Sequence, residues 1–414
     1  MNIFKTQNSE TPSIRHNNFK ALPAGIWVLG FVSMFMDISS ELIHSLLPVF
    51  MASVLGASMT MIGIIEGFGE AAAAVTKVFS GAISDYLRKR KLVAGIGYGL
   101  AAAAKPIFPL ASSIGWVFAA RFVDRIGKGI RGAPRDALVA DLAPSGLRGA
   151  AYGIRQSLDS AGAFIGPLLA LIFMAFLGSE IRLVLWVAVF PALIAVALLI
   201  FGVHEPGSTE IHQMPRNNLK FSDVRRLSLR FWMIVIVGSV FTLARFSEAF
   251  LILRAQDTGM AVGYVPLVLI VMNFVYTVTA YPAGALADRF SQRNILIIGL
   301  AVLIIADLVL AADRLPWLVI CGAALWGLHM GLTQGLFSKL VADAAPADLR
   351  GSAFGIFNLF NGGALLCASI IAGSLWTMFG ASATFLAGAG FALFAVFGIL
   401  IYQWKSKKTQ HGQN

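Results

Sequence analysis

The sequence predicts an all-α membrane protein of twelve transmembrane helices, built as two six-helix bundles that are related by a parallel internal repeat. The first observation behind this prediction is composition: the 414 residues are 57% hydrophobic and 13% charged, with a mean hydropathy of +0.77. Ordinary soluble domains are far less apolar. The second is the recurrence of apolar runs about 20 residues long, which cross a bilayer as helices because lipid offers backbone groups no hydrogen-bond partners. The third is an internal sequence repeat.

The apolar runs lie between charged or Gly/Pro-rich segments and define the spans in order. Spans 1 to 6 are predicted near residues 24–54, 60–83, 92–111, 114–141, 148–177 and 182–203. Residues 204–230 are polar and include five Lys/Arg, which predicts a cytoplasmic linker. Spans 7 to 12 follow near residues 231–254, 262–286, 294–312, 315–342, 350–378 and 382–403. The predicted domains are an N-terminal bundle 1–203, the linker, a C-terminal bundle 231–404 and a cytoplasmic tail 405–414.

The distribution of charge predicts the orientation in the membrane. The net charge is +11, and 19 Lys/Arg fall in the two termini and the segments on the same side as the termini. The opposite segments contain only Arg182 and Arg314. By the positive-inside rule both termini are cytoplasmic, which requires an even number of spans. This pattern accounts for the positive charge without a nucleic-acid partner.

Several functional classes are disfavoured by the residues present. Cys321 and Cys367 lie in apolar runs without a second thiol at a metal-ligand spacing, so we predict neither a disulfide framework nor a metal site. Residues 1–20 are polar and have no apolar core, so we expect span 1 to be retained rather than cleaved. The sequence has no nucleophile–base motif or phosphate-binding loop, so we predict no enzymatic activity, no cofactor and an ion gradient as the energy source.

The internal repeat is carried by two pairs of segments. Leu138-Val-Ala-Asp141 returns as Leu340-Val-Ala-Asp343, and each copy is followed by Ala-Pro and then Leu-Arg-Gly. Gly81-Ala-Ile-Ser-Asp85 returns as Gly284-Ala-Leu-Ala-Asp288 at nearly the same displacement. Parallel repeats of six helices place the substrate path at the interface between the halves, near the middle of the membrane.

The loop after span 2 contains glycine, aspartate and a basic run in an order that is repeated after span 8. This order resembles the loop signature of the major facilitator superfamily, and the resemblance covers essentially the whole chain. It implies two bundles that rock against each other, with the loop residues acting as a latch on one conformational state. In physical terms, glycine allows close helix approach, and an aspartate is favoured near a facing helix N-terminus. The predicted latch residues are Gly81, Asp85, Arg88, Gly284, Asp288 and Arg289.

Spans 1 and 5 add two partial resemblances to this family. Gly162, Gly166 and Pro167 in span 5 resemble a Gly-x-x-x-Gly-Pro signature that is commonest among proton-coupled antiporters. Asp37 followed by Pro48 in span 1 is similar to a motif of drug/proton antiporters, in which a carboxylate precedes a helix-kinking proline. The two resemblances imply proton-coupled export.

Carboxylates inside spans 1 and 2 are predicted to lie on the transport path. An ionisable residue at the bilayer centre costs roughly 2.5 to 3.5 kcal/mol, so it faces protein or water. Asp37 and Glu41 are separated by one helical turn, as are Glu66 and Glu70, so each pair shares one helical face. We predict proton coupling or substrate contact for these residues, with internal ion pairing as the alternative in span 2. His44 continues the span 1 face outward, where a hydrogen-bonded packing role is expected.

Span 4 carries a basic stripe that needs acidic partners. Arg121, Arg125 and Lys128 recur at helical spacing, within a run similar to the family's Arg-x-x-x-Gly-x-Gly-x-Gly motif except that Arg125 replaces its first glycine. By family analogy Arg121 pairs with Asp37. We expect residues 131–136, near the cytoplasmic end, to act as interface anchors.

The remaining charged candidates lie in spans 3, 5 and 7. Arg155 and Asp159 form an i, i+4 couple in span 5, and Arg245 and Glu248 are at i, i+3 in span 7, which is topologically equivalent to span 1. We predict that all four line the path and that Arg245 and Glu248 contact a polar cargo from the second half. Lys105 in span 3 is expected to reach outward to the membrane surface.

These observations predict a secondary transporter of the inner (cytoplasmic) membrane that moves a small polar or amphipathic solute by alternating access. Proton-coupled efflux is the leading interpretation. A proton symporter that imports a nutrient or organic anion is the alternative, since Arg245 and the span 4 cations suit an anion, and a non-transporting membrane sensor is a third. Sodium remains an alternative coupling ion because carboxylates also suit hard cations. One chain supplies both halves, so we expect a monomer in the lipid bilayer. Cargo identity and coupling stoichiometry are left open.

Overall fold

The computed structural model describes residues 22–87, 89–204, 226–289, 291–312, 315–346 and 349–411. Most of these residues are helical, and the described part of the chain contains no β-strand. The predicted linker falls largely on residues 205–225, which lie outside the described residues.

The helices of the first half begin and end close to the predicted positions. In order, spans 1 to 6 are Ala24–Val49 continued by the π-helical Phe50–Val54, Met59–Leu87, Arg90–Ala104 with the short helix Ile107–Leu110, Ile114–Leu142, Arg148–Phe176, and Ile181–Val187 with Val189–Gly202.

The second half follows the same order. Spans 7 to 12 are Leu229–Leu243 with Ala249–Asp257, Leu267–Arg289, Gln292–Ala311, Pro316–Ala344, Arg350–Phe379 and Ala381–His411. The last helix continues into the residues predicted as a tail.

Ten of the described helices are long and apolar enough to cross a membrane. The two other spans each have a physical reason for missing that measure. Span 4 is as long as its neighbours but carries too many charges, and span 7 is divided into two shorter pieces. Together these helices give the predicted twelve crossings within the described residues. The membrane face that holds the termini is called the inner side below, and the opposite face the outer side.

Span 7 is broken between Leu243 and Ala249, so the predicted continuous helix over 231–254 is wrong at this point. No glycine or proline lies in the break, and residues distant along the chain contact it. The backbone N–H of Ser247 donates to the hydroxyl of Ser369 in span 11 at 3.3 Å. The ring of Phe246 is buried against Trp326, at 5.4 Å between centroids, and against Phe385. The predicted pair Arg245 and Glu248 lies within this break and not on one face of a continuous helix.

The two halves meet through their outer portions. Spans 2 and 11 approach through small residues: a Cβ added to Gly67 would lie 3.0 Å from the Cα of Leu366. Near the outer ends of the same spans, the hydroxyls of Thr60 and Thr377 are 3.0 Å apart. One apolar core, which includes the outer part of span 1 and the outer helix of span 7, extends across both halves.

Toward the inner side, spans 2 and 11 stay in contact, since a Cβ added to Gly362 would lie 2.7 Å from the Cβ of Ala74 and one added to Gly355 would lie 3.5 Å from Val78. The glycines near the inner ends of spans 5 and 8 have more open surroundings. A Cβ added to Gly153 or to Gly284 would meet nothing within 4 Å. The inner part of the first half has an apolar core of its own, separate from the one that joins the halves. Within the described residues the two halves are therefore closed against each other on the outer side, and spans 2 and 11 also join them toward the inner side.

Candidate functional site

A buried ion pair lies between spans 2 and 4. Arg121 Nη2 is 2.5 Å from Glu66 Oε2, and both side chains are almost completely inaccessible to solvent. The same guanidinium nitrogen is 3.0 Å from His44 Nδ1 in span 1. The predicted pairing of Arg121 with Asp37 is therefore wrong, because Glu66 and His44 occupy the guanidinium instead. Glu66 thus forms an internal ion pair, which was the alternative interpretation for span 2.

His44 extends this pair to the second half of the molecule. Its Nε2 is 3.9 Å from Glu248 Oε2, which lies in the break of span 7. Glu248 is 30% exposed, whereas Glu66 and Arg121 are buried. The expected hydrogen-bonded packing role of His44 agrees with its burial and its bond to Arg121, and the contact with Glu248 was not predicted. The signal was present, since His44 lies on the same helical face as Asp37 and Glu41.

Below this contact, carboxylates and cations from both halves surround one space. Arg125 Nη1 is 3.2 Å from Glu70 Oε1. Glu248 is close enough to Glu41 and Glu70 of the first half to interact with them electrostatically. Charge from both bundles thus converges where the repeat predicts the path.

Two cations in this region have no ion-pair partner. Within the described part of the chain, neither Lys128 of span 4 nor Arg245 of span 7 has a carboxylate oxygen within 4.0 Å. Lys128 is exposed and Arg245 is half-buried. Because the two residues belong to different halves, an anionic group between the bundles can be reached from both sides.

A second charged cluster lies closer to the inner side of the first half. Arg155 Nη1 is 2.9 Å from Asp159 Oδ2, as the predicted i, i+4 couple requires. Asp37 is 3.7 Å from Arg131, whose guanidinium carbon lies 5.0 Å from the ring centroid of Tyr98. The expected role of residues 131–136 as interface anchors is wrong for Arg131, because its side chain is 3% exposed.

Further contacts make this inner cluster a connected network. Arg135 donates to the hydroxyl of Ser33 at 2.5 Å and lies 3.8 Å from Asp159. Asp136 lies 3.4 Å from Arg155. The hydroxyl of Ser33 also lies 3.2 Å from that of Tyr98, on which Arg131 packs. Spans 1, 4 and 5 are therefore joined by charged and polar contacts that include the predicted path residues Asp37, Arg155 and Asp159.

Lys105 belongs to neither cluster and does not reach the membrane surface, so that expectation is wrong. Its Nζ is 2.8 Å from Asp124 Oδ1 and donates to Ser40 at 2.9 Å, in a site from which solvent is excluded. Asp124 lies on the face of span 4 that packs on span 3. A carboxylate and a hydroxyl within reach make burial of the ammonium possible without snorkelling.

The span 5 glycines hold span 1 in place. A Cβ at Gly162 would lie 2.6 Å from the carbonyl oxygen of Met34, and one at Gly166 would lie 2.9 Å from the Cβ of Glu41. Pro167 is buried beside them. The absence of side chains lets span 5 contact the backbone of span 1 at the level of its carboxylates.

The predicted latch is described only in part. Arg88 lies outside the described residues, and so do the side chains of Asp85, Asp288 and Arg289. A Cβ at Gly81 would lie 3.4 Å from that of Ala133 in span 4. Next to the predicted residues, Arg90 forms an ion pair with Asp141 at the end of span 4. The latch itself stays a prediction.

Comparison with known proteins gives one consistent result. The family model described as Major Facilitator Superfamily matches residues 29–254 and 249–414. An uncharacterized MFS-type transporter of Methanocaldococcus jannaschii is 32% identical over 395 residues, covering 93% of this chain and 96% of the relative. The inner membrane transport protein YajR of Escherichia coli is 25% identical over 398 residues, covering 90% of this chain and 82% of the relative.

Solved structures agree on the fold. The nucleoside transporter NupG superposes with a TM-score of 0.74 at 16% identity, covering 91% of this chain and 98% of NupG. A D-xylose-proton symporter superposes with a TM-score of 0.71 at 16% identity, covering 90% and 96%. At this level of identity the likeness concerns the fold alone.

Proposed function

The chain belongs to the major facilitator superfamily, and from that premise we propose that it is a proton-coupled exporter of a small polar or amphipathic solute. Family membership makes it a multi-pass membrane protein and a secondary transporter of a small molecule. The coupling ion, the direction and the cargo class belong to the proposal, as does the inner membrane as its location.

The contact between His44 and Glu248 is the observation that supports proton coupling most strongly. It connects a buried ion pair of the first half to the second half at 3.9 Å, through two groups that both titrate. An imidazole attracts a carboxylate strongly only when the imidazole is protonated and the carboxylate is ionised. Rocking of the halves requires this contact to form and break, so its protonation can be tied to the conformational state.

In an export cycle, the state that is closed on the outer side is the one that loads the cargo. A solute enters the space between the halves from the cytoplasm and contacts Glu41, Glu70 and Glu248. Protons arriving from outside in the opposite state would neutralise carboxylates and release the cargo. The inner network around Asp37 and Asp159 offers protons a chain of charged groups toward the cytoplasm.

Import of an organic anion is the second candidate, and a separate observation favours it. Lys128 and Arg245 have no ion-pair partner within the described residues and come from different halves. A carboxylate or phosphate on the cargo would provide the missing partner for both. Protons would then move with the cargo rather than against it.

The test is the lumenal pH of proteoliposomes that are energised by a pH gradient in sodium-free buffer, recorded as candidate cargos are added. Three variants are compared with the native protein: Glu248→Gln, Asp37→Asn and, as the matched control, Glu180→Gln. Glu180 is exposed on the outer loop before span 6, away from both clusters.

We expect cargo-dependent proton flux in the native protein and in Glu180→Gln, and its loss in Glu248→Gln. The sign of the flux separates antiport from symport. Cargo movement without proton flux in the native protein would reject proton coupling and favour a uniporter, or a sodium-coupled transporter if sodium accelerates it. Equal flux in Glu248→Gln and in the control would reject the role of the His44 contact.

A further inference from the structure

Asp307 is a carboxylate that the path described above does not use. It lies in span 9 of the second half and is 0% exposed. Neither of its carboxyl oxygens has a hydrogen-bond partner. Its place in the fold depends on a glycine of span 12, since a Cβ at Gly388 would lie 2.6 Å from Asp307 Oδ2. An otherwise apolar run of span 9 thus contains one buried acid with space made for it.

The surroundings of Asp307 contain no cation to balance it within the described part of the chain. Span 12 has no titratable side chain between residues 381 and 400. In span 10, the Nδ1–H of His329 donates to the carbonyl oxygen of Gly299 at 2.7 Å, and Cys321 is exposed. In the outer helix of span 7, Arg254 donates to the carbonyl oxygens of Leu310 and Ala312 and pairs with Asp257.

The groups next to Asp307 suit a proton rather than a metal ion. A hard cation needs several oxygen ligands around it. Among the described residues no group of three or more acidic, histidine or cysteine side chains is arranged to hold a metal ion, and the carboxyl of Asp307 has no hydrogen-bond partner. An ionised carboxylate without a partner is very costly in an apolar site, and such a group neutralises by taking up a proton.

Asp307 is also connected to the break in span 7. The ring of Phe246 lies within the break, and a Cβ at Gly388 would contact this ring at 2.9 Å as well as the Asp307 carboxyl. Phe246 is flanked in sequence by Arg245, and two residues later by Glu248, which both belong to the central region. The same ring packs on Trp326, whose indole N–H is buried without a partner. Phe246 therefore lies beside the acid and is next in sequence to the charged residues of the span 7 break.

We propose that Asp307 is a second proton-binding site, protonated while the outer side is closed and opened to water of the central path when the span 7 break rearranges around Phe246. The proton passes between the carboxyl oxygen and that water, so no other reactant is involved. The proposal rests on the proposed function, because it adds a proton site in the second half to the central one.

The experiment records infrared spectra of the full-length protein in lipid without any cargo. The probe is the stretching band of a protonated carboxylic acid, followed as the pH is raised. Cys321→Ala and Cys367→Ala remove the native thiols, and Thr60→Cys with Thr377→Cys allows a disulfide that holds the outer side closed. The spectra of oxidised and reduced protein are then compared.

Assignment of the band uses two variants. Asp307→Asn is expected to remove one band. Gly388→Ala is expected to shift it, since the added methyl group would press on the carboxyl, so assignment does not depend on the folding of Asp307→Asn. Asp257→Asn, which removes a carboxylate already paired with Arg254, is the control and should leave the band unchanged.

We expect the oxidised protein to keep the band to higher pH than the reduced protein, by about 5- to 150-fold in proton concentration, the usual range for coupling between sites. If neither variant affects a carboxylic acid band, Asp307 is ionised and the proposal is overturned. If the band is assigned but responds identically in oxidised and reduced protein, Asp307 is a static buried acid, and the proposal is overturned as well. Because no cargo is present, neither result depends on the flux assay.

Discussion

The ion pair between Lys105 and Asp124 provides a quantitative test of how span 4 is held. The side chains are 1% and 3% exposed, with 2.8 Å between nitrogen and oxygen. Removing one partner of a buried pair costs about 3–5 kcal/mol because an uncompensated charge remains. We therefore expect Asp124→Asn to lower the free energy of unfolding by about that amount. Replacement of both partners, as Lys105→Met with Asp124→Leu, should cost much less because no charge stays buried.

Unfolding of the purified protein in mixed micelles of mild and denaturing detergent measures this free energy. The control is Asp141→Asn, the same chemical change at the pair with Arg90, whose side chains are 22% and 26% exposed. Pairs with such access to solvent contribute about 0–1 kcal/mol. If Asp124→Asn is no more destabilising than this control, or if the double replacement is as unstable as Asp124→Asn, the reasoning is refuted.

Three further predictions concern the contacts between helices and halves. Gly162→Val should sharply reduce the fraction of monodisperse protein in size-exclusion chromatography, because its Cβ would lie 2.6 Å from the carbonyl oxygen of Met34; a native yield would contradict this. His44→Asn removes the titratable bridge between the halves and should lower proton-driven accumulation by about fivefold or more, with a flattened pH profile of initial rates; an unchanged profile would contradict the role of the bridge. Thr60→Cys with Thr377→Cys, in a background without native cysteines, should stop transport on oxidation and regain it on reduction, because their hydroxyls are 3.0 Å apart; full transport in completely cross-linked protein would refute closure at this point.

The fold was predictable because the membrane imposes a simple requirement on the sequence. Each span must present a long apolar run, and the ends of such runs are marked by charge and by Gly or Pro. The helices of spans 1 to 6 and 8 to 12 accordingly lie close to their predicted positions. The break in span 7 could not be predicted from the sequence, because it contains no glycine or proline and its contacts are with residues distant along the chain, Ser369 and Trp326.

The candidate site was predictable in its members and not in its pairings. Helical spacing identified the carboxylates and cations, but the sequence does not give the distance between the faces of two different helices. Several acidic residues were possible partners for Arg121. The family analogy predicted Asp37, whereas in the structure Arg121 pairs with Glu66. Lys105 was misassigned for the same reason, since its partner Asp124 lies on another helix.

The seal between spans 2 and 11 is made of glycine, backbone and threonine, without a charged pair among the described contacts. Attraction of this kind is short in range: a gap of about 0.5–1 Å already loses a quarter to a half of it. The seal therefore weakens abruptly at the start of separation, and no ion of spans 2 and 11 must be rehydrated as it opens. A transporter closed in this way behaves as a switch with two positions. In a partly opened arrangement the packing contacts between the helices are already lost, and the surfaces are not yet hydrated by water.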